Sequence, residues 1–290
     1  MSNDNLNFFN KNGYLLINDC FSDQEIENLR SKIKILSKNI KNTYLLTSLC
    51  LSEKDIYKII FNKKLLNIYK EIIQEDVYLI PELHVQINQF PKNNRLGWHY
   101  DGQSERNNTY LKSKNRKFFR VGIYLQENND NYGGGIDIIN NKLFKKIPFK
   151  IHNYFERKII YLFSLFFSKS IKSKKGSVVF FDSRLPHKGT YPKKNPLDEN
   201  FKDKFTIYFQ LGNKEHCEYF LKNNIKRTFN GYDNNNVAPY FLDYLKLKFP
   251  EEYPKEFVEL LKLNKINLLT STEREAKFFK EFYSFYNNLK

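Results

Sequence analysis

The chain has 290 residues, 41% hydrophobic and 17% aromatic, enough apolar mass for a sizeable core, which excludes a globally disordered chain and a disulfide-stapled miniprotein. Its 48 Lys and Arg against 32 Asp and Glu leave a formal charge of +16, a surplus that draws it toward something anionic: nucleic acid, a membrane surface, or a substrate carrying phosphate or carboxylate. Three cysteines, Cys20, Cys50 and Cys217, lack the close spacings of zinc sites and disulfide frameworks and fit a reducing cytosol, so a cytoplasmic location is expected.

The first nine residues are polar and Asn-rich, without the basic start and apolar stretch of a secretory signal. Leu15-Leu16-Ile17 reads as a short strand, after which Ser22 and Glu25 form a capping box and open a helix with Ile26, Leu29, Ile33 and Leu36 on its buried stripe. Residues 52–75 repeat that character through Ile56, Ile59, Ile60, Leu65, Leu66, Ile68 and Ile72. From Val77 the texture changes to short β-rich runs at 77–80, 83–90, 118–126, 135–139, 177–182 and 205–211, separated by Pro, Gly and Asn. That spacing suits a jelly roll or sandwich rather than alternating βαβ units. A basic, Phe-rich insertion at 142–175 separates the fourth and fifth of these strands, and helices return beyond Gly212, clearest at 239–249 and 254–263. The division expected is a jelly-roll domain over 1–212 and a C-terminal helical extension over 213–290. The longest strongly apolar run, 159–168, is about half of what a bilayer crossing needs.

His99-Tyr100-Asp101 follows a strand and turn, and residues two apart in an extended segment share a face, so an imidazole and a carboxylate converge there. His187, downstream of the apolar strand Val178-Val179-Phe180-Phe181, offers a third ligand. Two histidines and one carboxylate make the facial triad of a non-heme Fe(II) oxygenase, which leaves coordination positions open for an oxidisable co-substrate and O2. Each piece alone is weak, since an H-x-D recurs by chance and a single histidine after a strand is ordinarily a hydrogen-bonded or surface residue.

At these residues the chain resembles the phytanoyl-CoA dioxygenase family of Fe(II)/2-oxoglutarate oxygenases. Phe9-x-x-x-Gly13-Tyr14 before a capped helix looks like that family's start. Asn88-x-x-Pro91 ahead of Trp98-His99-Tyr100-Asp101 looks like its first metal strand, Tyr124-Leu125-Gln126 with Gly133-Gly134-Gly135 like its central strand and turn, and 176–190 like the strand with the distal histidine. The resemblance covers residues 8–212, with 142–175 poorly accounted for. It implies a mainly β fold, a double-stranded β-helix with helices packed outside. It further implies Fe(II), 2-oxoglutarate and O2 as cofactors and co-substrates, with His99, Asp101 and His187 on the iron. The implied reaction is hydroxylation coupled to decarboxylation of 2-oxoglutarate to succinate; Asp101 argues against halogenation, for which that family has a small residue there. It implies a pocket amide at Asn88, whose strand face Gln86 shares.

The family's arginine for the far carboxylate of 2-oxoglutarate is missing: no arginine stands between His187 and Leu211. Lys202 and Lys204 are the cations in its place, and Lys204 and Thr206, two apart, share a strand face. Arg120 and Arg184 are further cations near the expected cavity. Trp98 either shelves the iron or belongs to the core, and His84, His152 and His216 read as structural or surface residues. The 142–175 insertion is expected to form a mobile lid, either a helical pair whose aromatics pack on the barrel or an amphipathic segment facing an anionic membrane, which would imply a lipid- or carrier-linked metabolite as substrate. The alternative function is a non-catalytic jelly-roll module binding a sugar or an anion. A nucleic-acid binder is disfavoured, because the positive residues are scattered and no recognition motif accompanies them.

Overall fold

The structure, a computed structural model, describes residues 4–38, 44–88, 97–99, 117–129, 131, 133–139, 154–193, 203–232, 243–248 and 250–288. It opens with α1 (Asp4–Asn12), β1 (Tyr14–Ile17) and α2 (Asp23–Ser37). The capping box forms as expected: Ser22 Oγ accepts from the Glu25 N–H at 3.3 Å, and the Glu25 carboxylate accepts from the Ser22 N–H at 2.7 Å. β2 (Tyr44–Leu45), α3 (Thr47–Ser52), α4 (Lys54–Lys58), a 3-10 turn (Ile59–Phe61) and α5 (Lys63–Ile73) follow. The apolar stripe of 52–75 is thus divided, because Asn62 starts a new helix by accepting from the N–H groups of Lys64 and Leu65.

Next come β3 (Val77–Ile87), β4 (Phe118–Tyr124), β5 (Ile136–Ile139), α6 (Tyr154–Phe167), β6 (Ser168–Ile171), β7 (Val178–Asp182), β8 (His187–Gly189) and β9 (Phe205–Gly212). The two strands expected at 77–80 and 83–90 are one strand with a register shift between Ile80 and His84. Pro81 lies in that gap; it has no N–H to give to the ladder, so the chain bulges instead of ending. The last quarter contains α7 (Lys214–Tyr232), 3-10 turns at Tyr244–Lys246 and Pro250–Glu252, α8 (Lys255–Leu263), β10 (Ile266–Leu268) and α9 (Glu273–Asn288).

Among the described residues seven strands form the larger sheet in the order β1-β7-β4-β9-β3-β10, with β2 also on β3, and β6-β5-β8 form the smaller one. Alternation along the large sheet sends Phe205, Ile207, Phe209 and Leu211 of β9, with Val121 and Ile123 of β4, to the outer face, where α2, α5 and α8 cover them with Ile26, Leu65, Ile72 and Phe257. The inner face joins the smaller sheet through Tyr124, Val179 and Phe181 against Ile136, Ile138 and Ile171. This is the expected jelly-roll core with flanking helices.

Two expectations change in detail. The second half of the 142–175 segment is built into the fold rather than standing off as a lid: β6 pairs all its residues with β5, from Ile136 opposite Ile171 to Ile139 opposite Ser168. Residues 142–153 lie outside the described residues. Beyond Gly212 the chain is not only helical, since β10 pairs in parallel with Val77–Leu79 of β3, and Tyr253, Phe257, Leu261 and Ile266 enter the main core. Among the described residues no helix is long and apolar enough to cross a membrane.

Candidate metal and co-substrate site

The polar half of each alternating strand faces the space between the sheets. On β3 these are Glu82, His84 and Gln86, on β4 Arg120, and on β9 Thr206, Tyr208 and Gln210, with Lys204 just before the strand; the register lines them up as Arg120 opposite Gln210 and Gln86 opposite Thr206. Of these, Gln86, Arg120, Lys204, Thr206 and Tyr208 line, with His99 and His187, a cavity of about 260 Å³.

His99 and His187 are brought together by the backbone. The His99 N–H donates to the His187 carbonyl at 3.0 Å and the His187 N–H to the His99 carbonyl at 2.8 Å, one antiparallel bridge continuing the smaller sheet. Their ring centroids stand 4.3 Å apart. Nδ1 of His99 lies 2.6 Å from the Gly97 carbonyl and Nδ1 of His187 lies 2.8 Å from the Leu185 carbonyl. A carbonyl only accepts, so each Nδ1 carries a proton, and in the neutral ring that leaves the lone pair on Nε2, the tautomer a metal-binding imidazole needs. The donor set therefore fits a divalent ion held through the two Nε2 atoms. Asp101, the carboxylate expected to complete it, lies outside the described residues.

Lys204 is buried in the cavity wall. Its Nζ donates to the carbonyls of Gly133 at 2.6 Å and Glu127 at 3.4 Å. Burial pushes the ammonium down to about 8, the Glu127 carboxylate opposing that shift and the positive Arg30 adding to it. The side chain runs across Gly134, where φ is +78° and a Cβ would collide with Lys204 Cδ, so the glycine turn is what admits the lysine. Thr206, also buried, lines the same cavity.

Arg120 lines the cavity as well, but its guanidinium pairs with the fully buried Glu82 carboxylate at 3.2 Å and lies over the Tyr208 ring, 5.7 Å from its centroid. Gln210 donates to the other Glu82 oxygen at 2.9 Å, and His84 stacks on Tyr208 at 5.6 Å. His84 is thus structural, as is His216, whose Nδ1 lies 2.6 Å from Asn213 Oδ1. Arg184 is clamped on Asp182, two residues away, with Nε 3.0 Å from both carboxylate oxygens.

Asn88 does not take the pocket position expected for it. It stands exposed at φ +49°, its Oδ1 accepts from the Lys204 N–H at 2.7 Å, and its Nδ2 donates to Asp203 at 3.1 Å. The bulge at Pro81 and the turn at Asn88 fix where β3 stops, so the amide braces the backbone of Lys204 from behind. Gln86 is the amide that lines the cavity. Lys202 and His152 lie outside the described residues. Trp98 is buried with Ile139 and Ile160, packed beside the site rather than over it.

The Glu82, Tyr208 and Gln210 part of the network was not expected from the sequence. The signal was present as polar residues alternating with Leu83, Val85 and Ile87 on one strand and with Phe205, Ile207 and Phe209 on the other, a pattern that a two-sided, half-polar strand produces.

No family model matches the sequence, and no curated protein matches it. Solved structures do resemble the fold. HygX from Streptomyces hygroscopicus, with nickel and 2-oxoglutarate bound, superposes with a TM-score of 0.56 at 16% identity, over 73% of this chain and 87% of that one. EctD from S. alaskensis, with 2-oxoglutarate and 5-hydroxyectoine, gives 0.56 at 13% over 74% and 77%. EvdMO1 gives 0.52 at 13% over 72% of this chain, which spans about half (49%) of that protein. What is shared at these identities is the architecture: a double-stranded β-helix with helices packed on its outside.

Proposed function

We propose that the chain is an Fe(II)- and 2-oxoglutarate-dependent oxygenase of the phytanoyl-CoA dioxygenase type, acting in the cytosol on a small or lipid- or carrier-linked metabolite. The observation that carries this reading is one cavity lined by a buried ammonium, a hydroxyl and two imidazoles whose Nδ1 atoms are each held by a backbone carbonyl. His99, His187 and Asp101 would hold the iron. When bound, the metal supplies the O2 activation that couples decarboxylation of 2-oxoglutarate to attack on a substrate C–H bond. Lys204 and Thr206 receive the far carboxylate of 2-oxoglutarate, as charge and hydroxyl donor. Phe181, with its ring 4.8 Å from that of His187, keeps water from one side of the site. HygX and EctD, whose structures contain 2-oxoglutarate, support the reading by fold.

Anaerobic addition of Fe(II) and 2-oxoglutarate to the metal-free protein is expected to raise a visible charge-transfer band, and exposure to air to release succinate. Asp101→Ala is expected to lose both while the far-UV circular dichroism is unchanged. Wild-type protein that gives neither signal, or an Asp101→Ala protein that makes succinate at the wild-type rate, would remove the oxygenase reading.

A further inference from the structure

Among the described residues eight large apolar side chains are exposed, and four of them belong to α6: Leu162 at 55%, Leu165 at 58%, Phe166 at 79% and Phe167 at 41%. The inward side of the same helix is anchored, with Ile160 buried against Trp98 and Ile139 and with Tyr161 and Phe163 packed beside them. The helix is therefore held in place by one face and leaves Leu162, Leu165 and Phe166 exposed on the other, whereas a helix packed only for stability would turn polar residues outward. Helical spacing puts Lys158, Leu162, Leu165 and Phe166 in one stripe, a lysine at the start of an apolar run. Lys172 and Lys174 follow, both exposed, and from Lys158 through Phe181 the sequence has no Asp or Glu.

We infer that α6 and the lysines after it form a docking surface for an anionic lipid bilayer, with Leu162, Leu165 and Phe166 entering the acyl boundary and Lys158, Lys172 and Lys174 meeting the headgroups, while the Lys169 ammonium is held by the Tyr14 hydroxyl at 3.1 Å. Charge decides the occupant. From Lys158 onward the segment has no acidic residue, and its exposed ammonium groups round large apolar side chains complement a negatively charged, partly apolar plane. At 14 residues the helix is too short to span the bilayer and lies along it. Its anchoring face touches Trp98, the neighbour of His99, so docking would hold the metal cavity close to the lipid surface. The inference stands without the iron chemistry, so either can fail alone.

Sedimentation of the full chain with vesicles tests it. Wild type is expected to pellet with phosphatidylcholine vesicles containing phosphatidylglycerol, to be partly released by high salt, and to pellet far less with phosphatidylcholine alone. The fluorescence of Trp98, the single tryptophan, is expected to change on addition of the anionic vesicles. Leu162→Ser/Leu165→Ser/Phe166→Ser and Lys172→Glu/Lys174→Glu should each lower the partition coefficient about tenfold or more, with thermal melting unchanged. Absence of wild-type binding to anionic vesicles would overturn the inference, as would equal binding by either variant. Concentration-dependent self-association of the wild type, abolished by the triple substitution and without vesicle binding, would assign the face to a second copy of the chain instead.

Discussion

In the proposed role, Lys204 would meet 2-oxoglutarate with a group whose charge depends on pH. A bound dicarboxylate stabilises the protonated amine, so 2-oxoglutarate should bind with proton uptake above pH 8 and its affinity should fall by up to about tenfold per pH unit there. Titration of the protein with 2-oxoglutarate between pH 7 and 9.5 measures this. Lys204→Met is expected to raise the apparent constant roughly 10- to 150-fold, the equivalent of a lost charge-assisted hydrogen bond, and to flatten the pH dependence. An unchanged profile in Lys204→Met would move the co-substrate contact to another residue. Without ligand the same burial works against folding. A lysine titrating at about 8 folded and near its ordinary 10.5 unfolded holds its proton at a cost below pH 8, and that cost fades as the pH rises from 8 to 10.5. Gly134 tests the neighbouring contact: Gly134→Ala meets both the positive φ and the Lys204 side chain, so a loss of about 1–3 kcal/mol in stability together with weaker 2-oxoglutarate binding is expected from melting and titration.

Strands β3, β4 and β9 share a buried polar row in which Glu82 accepts from Arg120 and Gln210. Removing only the cation leaves an uncompensated carboxylate in the sheet interior, so Arg120→Met should cost about 3–5 kcal/mol in urea unfolding. Arg120→Met combined with Glu82→Gln should recover much of that; a double variant no more stable than Arg120→Met would show that packing of the guanidinium on Tyr208, rather than charge, is what the row needs. The outer-facing members of these strands were legible, because Leu83, Val85, Ile207 and Phe209 alternate at period two and the capping box at Ser22 and Glu25 is a local signal. The partners of each strand were not. β6 reads Ser-Lys-Ser-Ile and β8 His-Lys-Gly, too short and polar to announce strands, and only their pairing with β5 makes them so. The split at Asn62 was readable in hindsight from one amide, while the placement of Asn88 behind Lys204 depends on a positive φ that no residue pattern displayed. At the candidate site the pairing of His99 with His187 was anticipated from their chemistry. Their Nδ1 partners, Gly97 and Leu185, are backbone carbonyls and leave no trace in the sequence.

Across the whole molecule the C-terminal segment closes an open edge. β2 and β10 together cover β3 on the side away from β9, β2 at Val85 and Gln86 and β10 at Val77–Leu79. A chain ending at Gly212 loses β10 and the buried Phe257, Leu261 and Ile266, so it is expected to lack a cooperative melt and to aggregate through the bare strand edge. A soluble, cooperatively melting 1–212 fragment would show instead that the barrel stands alone. Metal-free full-length protein, by contrast, should keep its cooperative transition, with added metal raising Tm only by mass action. The reciprocal backbone bonds between His99 and His187 carry that difference further. Because the sheet sets the distance between the two imidazoles, the site is a fixed jig rather than a glove that closes on its ion, and a fixed jig with nitrogen donors has no means of rejecting a stronger competitor. Copper and zinc bind such donors more tightly than ferrous iron. On the proposed reading the occupant is set by the supply of metals at the time of loading, and recombinant protein is expected to carry whichever divalent ion its host offered, as elemental analysis of the purified chain will read.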